Sequence, residues 1–286
     1  MTSATQEHRL VSAGFDRPRT HTLFAGSRFG TYDGNAGPMS AAPVRTRLAG
    51  SRVLARTDRL DVCLAAGNTR IDQALALRHR VFVLELGASV PLSCRPGLEH
   101  DAVDPYCEHL IVIERASERV VATSRLLMPQ RAAQLGRLSA DSQFRLDNLA
   151  TIRPCLVELG RTCVAADHRN PTTLGLLWSG LRTLLDATDI RYLMTAASVP
   201  MSDDGQLAGA LHEHLAQHYL NDLSLRVWPR RRLPRLTPDT ATMATVPSLM
   251  SAYLRMGSRL LGAPCYNEAF VSADFPLIAR VDRLAW

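Results

Sequence analysis

Several charged side chains in this sequence stand inside apolar segments, where an ordinary fold would not leave them. "LRHRVF" puts Arg78 and Phe82 four residues apart on one helix face, and "DAVD" supplies Asp101 and Asp104. "TSRLL" sets Arg125 within one apolar strand, and "ELGR" sets Glu158 and Arg161 within another. A charge in such a place is costly unless paired. Together these residues predict one buried, charge-balanced network around a cleft. Gly160, inside the second strand, marks a bulge that would turn a backbone N–H away from the ladder.

The segment that follows, "DHRNPTTLGLLW", runs from that strand through a turn into a helix start. Strand, loop and helix N-terminus in this order suit an anion, because the first helical N–H groups point at it and the dipole favours it. The loop lacks the closely spaced glycines that wrap a pyrophosphate, and it has no lysine. Arg169, Thr172 and Thr173 are among its polar groups, with Thr172 also placed to cap the helix.

Composition excludes several chemistries. None of the 33 basic residues is lysine, which removes Schiff-base and P-loop lysine mechanisms. There is no G-x-S-x-G elbow, no H-E-x-x-H, no H-x-x-x-x-D and no Cys/His metal spacing. His212 and His214 in "HEH" face different ways on a helix and do not make a ligand pair. The 6 cysteines form no C-x-x-C pair, and the first residues lack an apolar signal core, so reduced thiols in a cytoplasmic protein are expected. No apolar run approaches the roughly eighteen residues that span a bilayer. A net charge of +6 suits acidic partners, and Arg230, Arg231, Arg232 and Arg235 form a basic cluster for a carrier protein or anionic lipid, or a solvated edge.

The elements that must position these residues alternate. Residues 1–50 lack apolar periodicity and are expected to form a disordered tail, leaving 51–286 as the folded domain. Strands are expected at "RLDVCLA", "EHLIVIE", "RVVATSRLLM", "VELGRTCV", "RYLMTAAS", "LSLRVWP" and "FVSADFPLIARV". Helices are expected at "NTRIDQALALRHRVFVLELG", "TTLGLLWSGLRTLLDAT", "GQLAGALHEHLAQHYL" and "TVPSLMSAYLRMGSRLLG". Hairpins and a βαβ unit in one chain indicate a mixed sheet in a single α/β domain.

The order R-x-x-x-F, D-x-x-D, S-R-L, the aromatic of "SQFRLDNL" and then E-x-G-R-T-C-V resembles the acyl-carrier-protein-dependent branch of the GNAT-fold acyltransferases. "ELGRTCV", "HRN", "LLWSGL", "LHEHL" and "YLRMGSRLLGAPCYNEAFVSADFPLI" make the chain most similar to the ornithine lipid N-acyltransferases over about residues 59–280. That resemblance implies a GNAT-like fold moving a long 3-hydroxyacyl chain from acyl carrier protein to the α-amine of L-ornithine. No metal and no permanently bound cofactor is implied; the donor is an acyl-phosphopantetheine, and the partners are the carrier protein and anionic membrane lipid rather than nucleic acid.

In residue terms the resemblance makes Glu158 the general base, with Asp101 or Asp104 as alternatives, and Gly160 the oxyanion-stabilising backbone. Arg78, Arg125 and Arg161 balance the carboxylates and hold the acceptor. Phe82, Phe144 and Trp178 are candidate substrate walls, Trp178 joining Met250–Leu261 either as an acyl tunnel or as core. Arg169, Thr172 and Thr173 take the single phosphate, and Cys163 packs the core. Other N-acyl amino acid synthases, acyl-homoserine lactone synthases and a non-catalytic acyl or carrier-protein binding module remain as alternatives.

Overall fold

The computed structural model describes residues 52–89, 95–234 and 246–285. The expected tail, Cys94 and Arg235 lie outside the described residues. Within Val44–Trp286, one of the two units of the chain, the described elements begin with strands β1 (Val53–Arg56) and β2 (Leu60–Leu64) and helix α1 (Gly67–Arg78). The helix does not stop there but widens into a π-helical turn, His79–Glu85, that carries Phe82. Next come β3 (Glu108–Glu114), β4 (Arg119–Leu127), the short α2 (Pro129–Leu135) and β5 (Phe144–Arg145). They are followed by β6 (Leu156–Val164), α3 (Pro171–Asp186), β7 (Tyr192–Pro200) and α4 (Gln206–His218). The chain closes with β8 (Trp228–Pro229), α5 (Ser248–Arg255), β9 (Arg259–Leu260), β10 (Cys265–Asn267) and β11 (Ser272–Arg280).

The sheet runs β1-β2-β3-β4-β6-β7-β11-β10, with β9 added against β11. All its pairings are antiparallel except β6 with β7, so the sheet is mixed, as the hairpins and the βαβ unit predict. β6 and β7 pair only from Leu156/Tyr192 to Leu159/Thr195. Beyond that point β6 continues on β4 to Val164 while β7 continues on β11 to Pro200. The two neighbours therefore leave each other's ladder halfway along, and a wedge opens in the centre of the sheet.

One apolar core joins the sheet to α1, α3, α4 and α5 through residues such as Leu77, Leu177, Leu211 and Tyr253. A second gathers Leu138, Phe144, Leu149, Leu156 and Met194 under the connections around β5. Periodicity located the long elements because each buries one face. Two expectations change. "LSLRVWP" alternates like a strand but forms a 3-10 turn (Leu223–Leu225) and the two-residue β8. The last helix ends at Arg255, because Gly257 takes a left-handed backbone (φ 100°) that redirects the chain into β9.

Gly262, after β9, sits where a side chain has no room: a Cβ there would lie 2.2 Å from the Val227 carbonyl oxygen. Backbone cannot yield as a flexible side chain can. Gly262→Ala is expected to destabilise the fold by about 1–3 kcal/mol, as overpacking does, read as a lowered Tm; an unchanged Tm would contradict this packing.

Candidate active site

Arg78, the last residue of α1, has no exposed surface. Its fork meets Asp104 twice, Nη1 to Oδ1 at 2.6 Å and Nη2 to Oδ2 at 3.0 Å, and its Nε donates to Glu99 Oε2 at 2.5 Å. The expected substrate contact is thus replaced by a positioning role: Arg78 fixes the segment that carries Glu99, Asp101 and Asp104. Glu99 was not singled out in the sequence, although it lies two residues before Asp101. It is the hinge of the network, because its other oxygen accepts from Arg161 Nε at 3.0 Å.

Asp101 and Asp104 shape one turn together. Asp101 Oδ1 accepts the N–H groups of Val103 (2.9 Å) and Asp104 (3.2 Å), and Asp104 Oδ2 accepts the N–H of Asp101 (2.7 Å). Arg125 on β4 donates to Asp101 Oδ1 at 2.7 Å and lies 3.2 Å from Asp104 Oδ1. Arg161 Nη2 reaches Asp101 Oδ2 at 3.3 Å. Burial works against both charges, but the guanidiniums beside them outweigh it: Arg125 holds the Asp101 carboxyl below its ordinary value, and Arg78 with Arg125 does so for Asp104. Burial likewise opposes the charges of Arg78 and Arg125, yet their carboxylate partners raise both above the usual guanidinium range.

The bulge expected at Gly160 is present, with a different residue at its crest. Thr123 pairs with Cys163 and Arg125 with Gly160, so Arg161 and Thr162 of β6 face Ser124 alone on β4. Arg161, not Gly160, takes the left-handed backbone (φ 53°). An L side chain there costs roughly 1–3 kcal/mol. The Glu99 and Asp101 carboxylates, and the Phe270 ring 5.5 Å beneath the guanidinium, hold it in place. Phe82 meets Phe270 edge-on, with ring centroids 5.7 Å apart, and so supports that floor.

Glu158 is buried and both its oxygens are occupied. Oε2 accepts the N–H of Ser139 at 2.6 Å and Oε1 that of Ala140 at 2.8 Å, at the start of a 3-10 turn, Ser139–Ser142. Ser139 also receives Arg125 Nη2 on its hydroxyl at 3.2 Å. Burial raises the Glu158 carboxyl above its usual value, against those two N–H groups and Arg125. The two candidate proton acceptors therefore differ in kind: Asp101 is the more exposed, with 32% of its side chain open, but the weaker base, whereas Glu158 is the stronger base and less exposed.

Other expected site residues fall elsewhere. Phe144 is fully buried in the second core, and its strand pairs with β8. Trp178 packs on Tyr253 of α5, centroids 5.3 Å apart, and most of Met250–Leu261 is core. Asn170, not Thr172, caps α3, its side chain accepting Thr173 N–H at 2.9 Å and the Thr173 hydroxyl at 3.2 Å. Thr173 is therefore buried and committed, while Thr172 is exposed. Arg169 donates to the Val164 carbonyl at 3.1 Å and pairs with Glu85. Burial pushes the Cys163 thiol up to about 12, which leaves it protonated at neutral pH. A hydroxyl chain not foreseen in the sequence lines the wedge: Ser124 to Thr162 at 2.8 Å, then Thr162 to Tyr253 at 3.5 Å.

Residues 77–179 match the family described as acetyltransferase (GNAT) domain. The L-ornithine N(alpha)-acyltransferase of Rhodobacter capsulatus is 32% identical over 229 residues, 76% of this chain and 88% of that protein. The protein of the same name from Brucella abortus is 30% identical over 252 residues, 82% of this chain and 88% of its own. Among solved structures, an N-acyl amino acid synthase from uncultured soil microbes is similar over 78% of this chain and 91% of its own, at 14% identity and a TM-score of 0.47.

Removing the Glu99 carboxylate takes one partner from each of two guanidiniums and leaves the buried cluster with an uncompensated charge. Glu99→Gln is expected to cost about 3–5 kcal/mol at pH 7, measured by denaturant unfolding; a cost under about 1 kcal/mol would remove Glu99 from the network. The folded values of Asp101 and Asp104 lie below their unfolded value of about 3.9, so their contribution persists from pH 7 to about 4 and is lost as pH falls further. Glu158, raised by burial, acts in the opposite sense, favouring the fold below its unfolded value and losing that contribution as pH rises through the folded one. A stability maximum below pH 4 would refute the dominance of the aspartates.

Proposed function

Because this chain belongs to the L-ornithine N(alpha)-acyltransferase family and has the GNAT fold, we propose that it transfers an acyl group from a thioester to the α-amine of L-ornithine. The observation that carries this reading is the similarity to proteins of that name over most of both chains. In the reaction the amine nitrogen bonds to the thioester carbonyl, the C–S bond breaks and the thiol leaves, and the nitrogen gives up a proton. An amino-acid amine with a pKa near 8 or above is mostly protonated at neutral pH, so a proton acceptor is needed. Glu158, raised by burial, takes that role directly or through water. Asp101, held acidic by Arg125, helps to orient. Arg161, a quarter exposed beside Asp101, is the fork for the acceptor's carboxylate. Backbone at the bulge around Gly160 faces the developing oxyanion.

The donor in this reading is acyl carrier protein bearing a 3-hydroxyacyl chain on phosphopantetheine, and no cofactor stays bound. The loop between β6 and α3 has no glycine, which argues against a pyrophosphate cradle. A single phosphate would take Arg169 in exchange for Glu85, next to the exposed Thr172. The product is a lyso-ornithine lipid, made at the cytoplasmic face of the membrane; among the described residues no helix is long and apolar enough to cross one.

Assay of purified protein with ornithine is expected to show far higher kcat/KM with acyl carrier protein than with acyl-coenzyme A, and mass spectrometry to find the acyl group on the α-nitrogen. Equal efficiency with both thioesters would refute the donor. Glu158→Gln is expected to lower kcat by about 10²–10⁴-fold with little change in donor binding. Its amide would set an N–H against that of Ser139 or Ala140, so a Tm loss accompanies it. A folded variant with near-normal kcat would transfer the role to Asp101.

A further inference from the structure

β11 carries a buried carboxylate that the reaction as described does not use. Asp274 is 3% exposed. Its Oδ2 accepts from the side-chain amides of Gln143 at 2.5 Å and Asn267 at 2.7 Å, and its Oδ1 from the Ser272 hydroxyl at 2.8 Å. All of these donors are neutral. Among the described residues no cationic side chain forms an ion pair with Asp274, whereas the buried Glu99 and Asp104 each hold guanidiniums. A carboxylate withdrawn from water without a counter-charge is expensive to keep.

Its position gives that charge a use. On β7, Met194, Ala196 and Ser198 share one face, and in register Met194 stands beside Glu158 of β6 while Ser198 stands opposite Asp274 of β11. Directly paired residues point to the same side, so Glu158 and Asp274 lie on one face of the sheet, across the wedge. Ser198 is exposed, so this face is open there. One turn also braces both carboxylates: Ser139 and Ala140 at its start hold Glu158, and Gln143 just past its end holds Asp274. The register sets them four residues of β7 apart, so the two carboxylates stand at the two ends of one stretch of this face, as the two amino groups of a diamino acid require.

We infer that Asp274 receives the side-chain ammonium of the acceptor while its α-amine faces Glu158, so that Asp274 decides which amino acid is acylated. The inference rests on the reading of this chain as an ornithine acylase and assigns the specificity of that same site. Gln143 and Asn267 are half-buried, and their neutral N–H groups give way to the ammonium's. Norvaline, of equal chain length but without the terminal amine, would leave the carboxylate unpaired.

The test compares kcat/KM for ornithine, lysine and norvaline with one acyl donor, in the wild-type chain and in Asp274→Asn. The wild type should prefer ornithine over norvaline by about 10–100-fold, the range of a charge-assisted hydrogen bond, and Asp274→Asn should abolish the preference while norvaline turnover stays within about threefold. Should Asp274→Asn fail to fold, Gln143→Lys provides a resident ammonium for Asp274 and should erase the ornithine preference with Tm retained. An undiminished ornithine preference in a folded variant overturns the inference and leaves ornithine acylation standing. A wild-type chain that acylates norvaline or another neutral amino acid in preference to ornithine overturns both.

Discussion

A guanidinium with no exposed surface must be surrounded by carboxylates, and Arg78 imposes that requirement on the site. Its position is dictated by α1, whose apolar face anchors it in the larger core. Asp104 and Glu99 answer the charge, which draws in the otherwise irregular segment ahead of β3. Glu99 then has an oxygen left for Arg161, and Asp101, held in the Asp104 turn, has one for Arg125 and one for Arg161. The network is thus ordered from the inside outward, from a fully buried pair to the partly exposed Arg161 and Asp101. Interactions in such a low-dielectric setting are strong, and breaking any member leaves a charge uncompensated.

That ordering explains how a strained residue persists at the centre of the sheet. Arg161 could relax its left-handed backbone only by giving up two carboxylates and an aromatic floor. The bulge it crowns lies just beyond the last parallel pair of β6 and β7, so the strain and the wedge fall at the same level of the sheet. Glu158, a few residues earlier, ties that level to the turn at Ser139. Pairing, strain and turn are therefore mechanically connected through one strand.

The sequence revealed the charges that sit in apolar strands, because burying them without partners is too costly for a fold to tolerate by accident. Glu99 is not legible because "GLEHDAVD" mixes charged residues with Leu98 and Val103 and has no periodicity against which a buried carboxylate stands out. Gly160 signalled the bulge but not its crest, since two-against-one pairing can place the left-handed residue beside the glycine, and only side-chain partners decide which takes it. Similarly, Asn170 displaced Thr172 as the cap because Pro171 starts the helix two residues earlier than a Thr172 cap would. Arg169 read as free for an anion because Glu85, its partner, is distant in sequence. Long strands and helices were legible from periodicity, whereas β5, β8, β9 and β10 are too short to show any.

The permanent cations at this site, Arg78, Arg125 and Arg161, are guanidiniums, and that choice has a chemical side. A thioester is an electrophile that does not discriminate among amines, and an ammonium beside one becomes a competitor whenever it loses its proton. Guanidinium retains its proton across any physiological pH, and Arg125 is pushed further in that direction by its neighbours. The site can therefore hold positive charge beside an activated acyl group without offering a nucleophile of its own. Lysine at Arg125 or Arg161 would supply the same charge, but it would turn the protein into a substrate for its own reaction.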